Sequence, residues 1–116
     1  MTRRHFAYLA DDGTKRIWYT ERLWRLAQDL PVKSVPISAI AALDEPVWFG
    51  EVKPTCRRVT EHAKRMQSVS FEHPIILSAE GWVMDGMHRV CKALLLELDT
   101  IQPVQFPCTP EPDEHV

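Results

Sequence analysis

The segment Val83-Met84-Asp85-Gly86-Met87-His88-Arg89 places an acid, a glycine, a histidine and an arginine where a short apolar strand passes into a helix. A helix start presents backbone N–H groups that have no intrahelical acceptor, together with a partial positive charge, and a glycine lets a ligand approach the main chain closely. Such a junction is suited to anions. His88 and Arg89 fall in the first turn, where stability alone favours acidic residues, so their charge adds to the field of the helix. Arg89 can fork two donors onto a phosphate, and His88 can donate to the same group and titrate near neutrality. Asp85 can orient His88, accept a proton, or hold a divalent metal beside a nucleotide. The same residues admit a structural reading: Asp85 capping the helix, Gly86 permitting the turn, and Arg89 paired with a carboxylate elsewhere. Spacing does not choose between them.

The elements that must position this junction follow from periodicity. Asp11-Asp12-Gly13 is a turn signal joining two extended pieces at 6–9 and 16–19. Thr20 caps a helix over 21–30 with Leu23, Trp24, Ala27 and Leu30 on one stripe, and Pro31 stops it. A β-branched run at 33–37 reads as an edge or entry strand, and Ser38 caps a brief helical turn over 39–43. The irregular stretch 44–54 holds Asp44, Glu45 and Glu51 beside the paired aromatics Trp48 and Phe49. From Thr55 a second helix runs to Ser68, with Cys56, Val59, Ala63 and Met66 as its apolar stripe. Its line of Arg58, His62 and Arg65 reads better as a solvated amphipathic surface than as a phosphate-tracking face. Residues 74–78 and 82–85 form a hairpin about Ala79-Glu80-Gly81, a helix occupies 87–98, and 101–106 closes the sheet.

A chain of 116 residues with 45% hydrophobic content fills a single core. Fourteen basic against sixteen acidic residues give a net charge of -2, so no basic field advertises nucleic-acid binding. Three of the acids, Glu111, Asp113 and Glu114, lie in the last six residues, which leaves the rest near neutral. Cys56, Cys91 and Cys108 are an odd count at wide spacing, which disfavours a disulfide framework and suits a reducing compartment. No apolar run is long enough to span a membrane, and no zinc-ligand spacing is present. The expected setting is cytoplasmic.

The order of these elements, with Val35-Pro36-Ile37-Ser38-Ala39-Ile40, Pro74-Ile75-Ile76-Leu77 and Asp85-Gly86-Met87-His88-Arg89, resembles the ParB/sulfiredoxin-like superfamily over roughly residues 33–106. In that superfamily the glycine-containing box before the helix binds nucleotide phosphates, and its members include CTP-hydrolysing partition proteins, ATP-using sulfiredoxins and free-serine kinases. The resemblance maps the Gly-x-His-Arg box onto Gly86, Met87, His88 and Arg89, and the preceding acid of the kinase-like members onto Asp85. It places sulfiredoxin's reactive cysteine at Met87, whose thioether cannot ionise, so repair by the cysteine mechanism is out. Cys91 does not replace it, since it lies one turn further in, beside Val90 and Leu94. The catalytic glutamate of the kinase-like members falls nearest to Glu45, with Glu51 in reserve, although Asp44-Glu45-Pro46 also reads as a solvated turn. The helix-turn-helix region of partition proteins has no counterpart, so DNA is expected only through a partner.

The expectation is therefore an α+β domain over residues 1–106, a small mixed β-sheet packed with about three main helices, followed by a Pro-rich, partly acidic flexible tail at 107–116. Its core is assigned to Leu23, Trp24, Val59, Met66, Ile75, Leu77, Val83, Val90, Leu94, Leu98 and Val104. The expected ligand is a nucleotide (CTP, ATP or ADP with Mg²⁺) or a phosphorylated small molecule, held at Gly86, Met87, His88 and Arg89. The catalytic form of that reading, a Mg²⁺-dependent phosphotransferase or NTPase, uses Asp85, His88 and Glu45, with Asp85 as metal ligand. The rival is a non-enzymatic adaptor that works through a DNA or protein partner.

Overall fold

The computed structural model describes residues 3–116. Its centre is a three-stranded sheet in the order β5-β4-β7, with β4 at Ile75–Leu77, β5 at Val83–Asp85 and β7 at Pro103–Gln105. β5 runs antiparallel to β4 and β7 runs parallel to it, so the sheet is mixed. Side chains alternate across a strand, and both faces of this one are covered. Ile75, Leu77 and Val83 pack with Val90 and Ala93 of α3 (Met87–Leu95), with Ile37 of a first 3-10 turn (Ile37–Ala39) and with Ile40, which joins it to a second (Ala41–Asp44). Ile76, Met84 and Val104 pack with Leu23 and Ala27 of α1 (Thr20–Ala27), and with Trp18 and Phe106.

Trp18 belongs to an antiparallel hairpin of β1 (His5–Leu9) and β2 (Lys15–Tyr19), whose Phe6, Tyr8 and Trp18 gather around Trp82. A two-residue strand β3 (Val35–Pro36) pairs antiparallel with β6 (Thr100–Ile101). Helix α2 (Cys56–Ser68) begins where the sequence predicts, with the Thr55 side chain accepting from the Arg58 amide at 3.2 Å. The architecture is the expected α+β class, with small sheets and three α-helices among the described residues. Among the described residues no helix is long and apolar enough to cross a membrane.

Several expectations are corrected. The tail does not hang free: its last strand, β8 (Glu114–His115), adds to the edge of β2. The Trp18 indole donates to the Pro110 carbonyl at 2.7 Å, and Asp113 accepts from the Tyr19 amide at 2.8 Å. Hydrogen bonds to a distant strand supply what the tail's few apolar groups cannot. The predicted core also shifts. Trp24, Val59, Leu94 and Leu98 are exposed, and no residue of α2 is fully buried, because α1 and α3 turn only a narrow stripe inward and α2 packs on α3. On α3 that stripe is Arg89, Val90 and Ala93, and the helix ends at Leu95 instead of Leu98.

Candidate functional site

The hairpin β4–β5 delivers Asp85 to the sheet edge, and Gly86 turns the chain into α3 with φ of 105°. Only glycine suits this turn for two reasons. Its positive φ strains other residues, and an added Cβ would lie 3.0 Å from Ile75 Cγ1 and 3.2 Å from the Arg89 guanidinium. The first bond of the helix runs from the Val90 amide to the Gly86 carbonyl at 3.0 Å, which leaves the amides of residues 87–89 ahead of the ladder. Among the described residues no side chain caps this start.

Asp85 and Arg89 are both buried and meet through Arg89 Nη2 and Asp85 Oδ2 at 2.9 Å. The other terminal nitrogen of Arg89 donates to the carbonyls of His73 and Pro74. Asp85 further accepts from Trp24 Nε1 at 2.8 Å and from Arg4 Nη2 at 3.1 Å. A buried carboxylate surrounded by these donors is satisfied, and a buried guanidinium tied to a carboxylate and two carbonyls is committed. Arg89 is thus an internal strut lying against Gly86, which is the structural alternative that the sequence left open. The metal role assigned to Asp85 does not fit either, since a dication there would meet two guanidinium groups within hydrogen-bonding distance of the same carboxylate. Any Mg²⁺ would have to travel on the ligand's phosphates.

His88 takes a different course. Its Nε2 lies 2.8 Å from His62 Nδ1, and Trp48 stacks over both rings with centroid separations of 4.4 and 4.2 Å. Burial, with Arg65, His62 and Arg4 nearby, pushes the His88 pKa down to about 4, so the ring is neutral at pH 7. His62 is lowered too, first by burial and then by Arg65 and Arg58. The sequence treats His62 as a surface residue and Trp48 as one of two paired aromatics in an irregular stretch; the structure joins both to His88. Glu45 is exposed and lies outside the residues that line the cleft at the start of α3. Cys91 is half-buried, and burial raises its thiol pKa, in keeping with an inert side chain.

That cleft has a volume of about 560 Å³. Asp85, Gly86, Met87, His88 and Arg89 form its floor, and Arg4, Lys15 and Arg65 bring cationic side chains to its walls. Its one carboxylate, Asp85, is already neutralised from two sides. Arg4 and Lys15 come from the amino-terminal hairpin region, outside the stretch that carries the superfamily resemblance. No local signal marks them, because Arg4 reaches Asp85 across 81 positions of sequence. A separate apolar pocket of about 390 Å³ lies beside Trp24, Leu30, Pro74 and Val104. Comparison of the chain with family models, curated proteins and solved structures finds no match.

Proposed function

We propose that the domain binds a phosphate-bearing ligand in the cleft at the start of α3, and that the ligand is a nucleotide, as the ParB/sulfiredoxin-like resemblance implies. The observation that carries this reading is the uncapped start of α3 facing a cleft whose cations outnumber its single, already paired carboxylate. Unpaired amides and the helix field favour phosphate oxygens. Exposed Arg4 has further guanidinium nitrogens beyond the one on Asp85, and Lys15 and Arg65 add donors that no ion pair among the described residues restrains. The grip is therefore assigned to Arg4, Lys15, Arg65 and the amides at 87–89, with Arg89 holding the floor in place.

Binding is better supported than turnover. His88 is neutral and its ring lies under Trp48 with Nε2 on His62, and Asp85 is buried and held by three donors. Neither offers the access that a general base requires. A phosphotransferase or NTPase activity would need its base from the ligand side or from a moved loop. A cytoplasmic setting belongs to the same proposal, in keeping with three unpaired cysteines.

Calorimetric titration with CTP, ATP and ADP in the presence of Mg²⁺ tests the proposal. Heat is expected with at least one nucleotide. Lys15→Ala and Arg65→Ala are each expected to weaken binding about tenfold, the loss of roughly 1.4 kcal/mol from one charged contact, without altering the melting curve. A second reading, the non-enzymatic adaptor, draws on the exposed Leu94, Leu95, Leu96 and Leu98 at the far end of α3. Silence with every nucleotide in a folded sample favours that alternative.

A further inference from the structure

The stretch between the second 3-10 turn and α2 is held unlike the rest of the molecule. Its main-chain hydrogen bonds are local: Glu45 to Ala42, Val47 to Glu45, Phe49 and Gly50 to Pro46, and Val52 to Phe49. Its contact with the domain is aromatic. Trp48 lies flat over the imidazoles of His62 and His88, with interplanar angles of 10° and 17°, and Phe49 meets His62 edge-on at 5.5 Å. Val47 and Trp48 also line the cleft. A loop bonded mainly to itself and anchored by two rings is a low-stability unit that can open alone.

We propose that residues 45–53 form a lid on the cleft, latched shut by the stacking of Trp48 on the hydrogen-bonded pair His62–His88, and that protonation of this pair opens it. Two imidazoles facing each other through Nδ1 and Nε2 at 2.8 Å need one nitrogen to donate and the other to accept. A first proton can be shared as a charged hydrogen bond beneath Trp48. A second leaves two cationic rings donor against donor, and the flat platform under Trp48 parts.

The surroundings set the direction. Arg58 and Arg65 on α2 and Arg4 ahead of β1 oppose protonation, and Glu61 on α2 favours it at His62. Burial under the lid works with the arginines. The closed state therefore binds protons more weakly than an open state whose imidazoles titrate near their ordinary 6.5. The latch is at full strength above that pH and weakens as pH falls toward about 4 for His88, by at most tenfold per pH unit for one ring. The lid's effect on ligand entry rests on the proposed function, whereas the latch itself does not.

The test is amide hydrogen exchange on the full chain without ligand, corrected for the intrinsic pH dependence of exchange. Protection at 47–53 is expected to fall between pH 6.5 and 5 by three- to thirtyfold while the amides of α3 keep theirs. In His88→Phe, which retains a ring for Trp48 but cannot titrate, that acid response is expected to flatten to less than threefold. Protection at 47–53 that does not change with pH in the wild type overturns the latch, as does loss in step with α3, which is global unfolding. Because no ligand is present, either result leaves the calorimetric test of the cleft untouched.

Discussion

Replacing Arg89 by alanine separates a ligand-binding arginine from an internal strut. Its side chain is 9% exposed and that of Asp85 is 5% exposed, so the substitution strands a buried carboxylate and frees the His73 and Pro74 carbonyls of a donor. Arg4 and Trp24 still contact Asp85, which limits the damage. Removing one partner of a buried pair costs about 3–5 kcal/mol. An unfolding entropy of roughly 0.24 kcal/mol/K for a domain of this length converts that loss into about 12–20 °C of melting temperature. Urea titration followed by tryptophan fluorescence gives the free energy, and calorimetry on the folded fraction gives phosphate affinity. The expected outcome is a large loss of stability. A variant that loses less than about 1 kcal/mol yet no longer binds nucleotide refutes the strut and restores Arg89 to the ligand.

Gly86→Ala is expected to lose about 1–3 kcal/mol, since the positive φ is strained for alanine and the new methyl meets Ile75 and the Arg89 guanidinium; thermal denaturation checks it, and an unchanged midpoint counts against the tight turn. Truncation after Phe106 is expected to cost about 2–4 kcal/mol, because it leaves the Trp18 indole without the Pro110 carbonyl and uncovers the β2 edge. A truncated chain as stable as the whole would mean the tail contributes nothing to the fold. Trp24→Phe keeps the ring on α1 but removes the indole donor to Asp85, with an expected loss of about 1–2 kcal/mol in the same urea titration.

The junction was legible in the sequence because its signals are local. Short continuous apolar runs on either side of Ala79-Glu80-Gly81 specify the hairpin, and Asp85-Gly86 marks the passage into α3. The Thr55 cap is a short-range feature and was equally readable. What escaped was decided at long range. Nothing near Arg89 announces that the carbonyls at 73 and 74 will meet it, or that Arg4 and Trp24 will join it on Asp85. The tail escapes composition for the same reason: it offers little apolar surface, whereas its attachment comes from pairing with β2 and from bonds to Trp18 and Tyr19. Helical stripes overstate the core, since α3 turns only Arg89, Val90 and Ala93 fully inward and α2, with Val59, packs on α3 without a fully buried residue. The residues that do fill it include Ile37, Ile40 and Phe106, from turns and strand ends where periodicity is weakest.

The central claim is that the start of α3 receives an anion with the help of cations from other elements. Two-dimensional ¹H–¹⁵N spectra recorded during titration with CTP, and separately with inorganic phosphate, test it most directly. The amides of Gly86, Met87, His88 and Arg89 are expected to shift first and saturably, and Lys15→Ala with Arg65→Ala to suppress those shifts in a folded protein. Saturable shifts confined to other parts of the molecule, or none with either ligand, would contradict it.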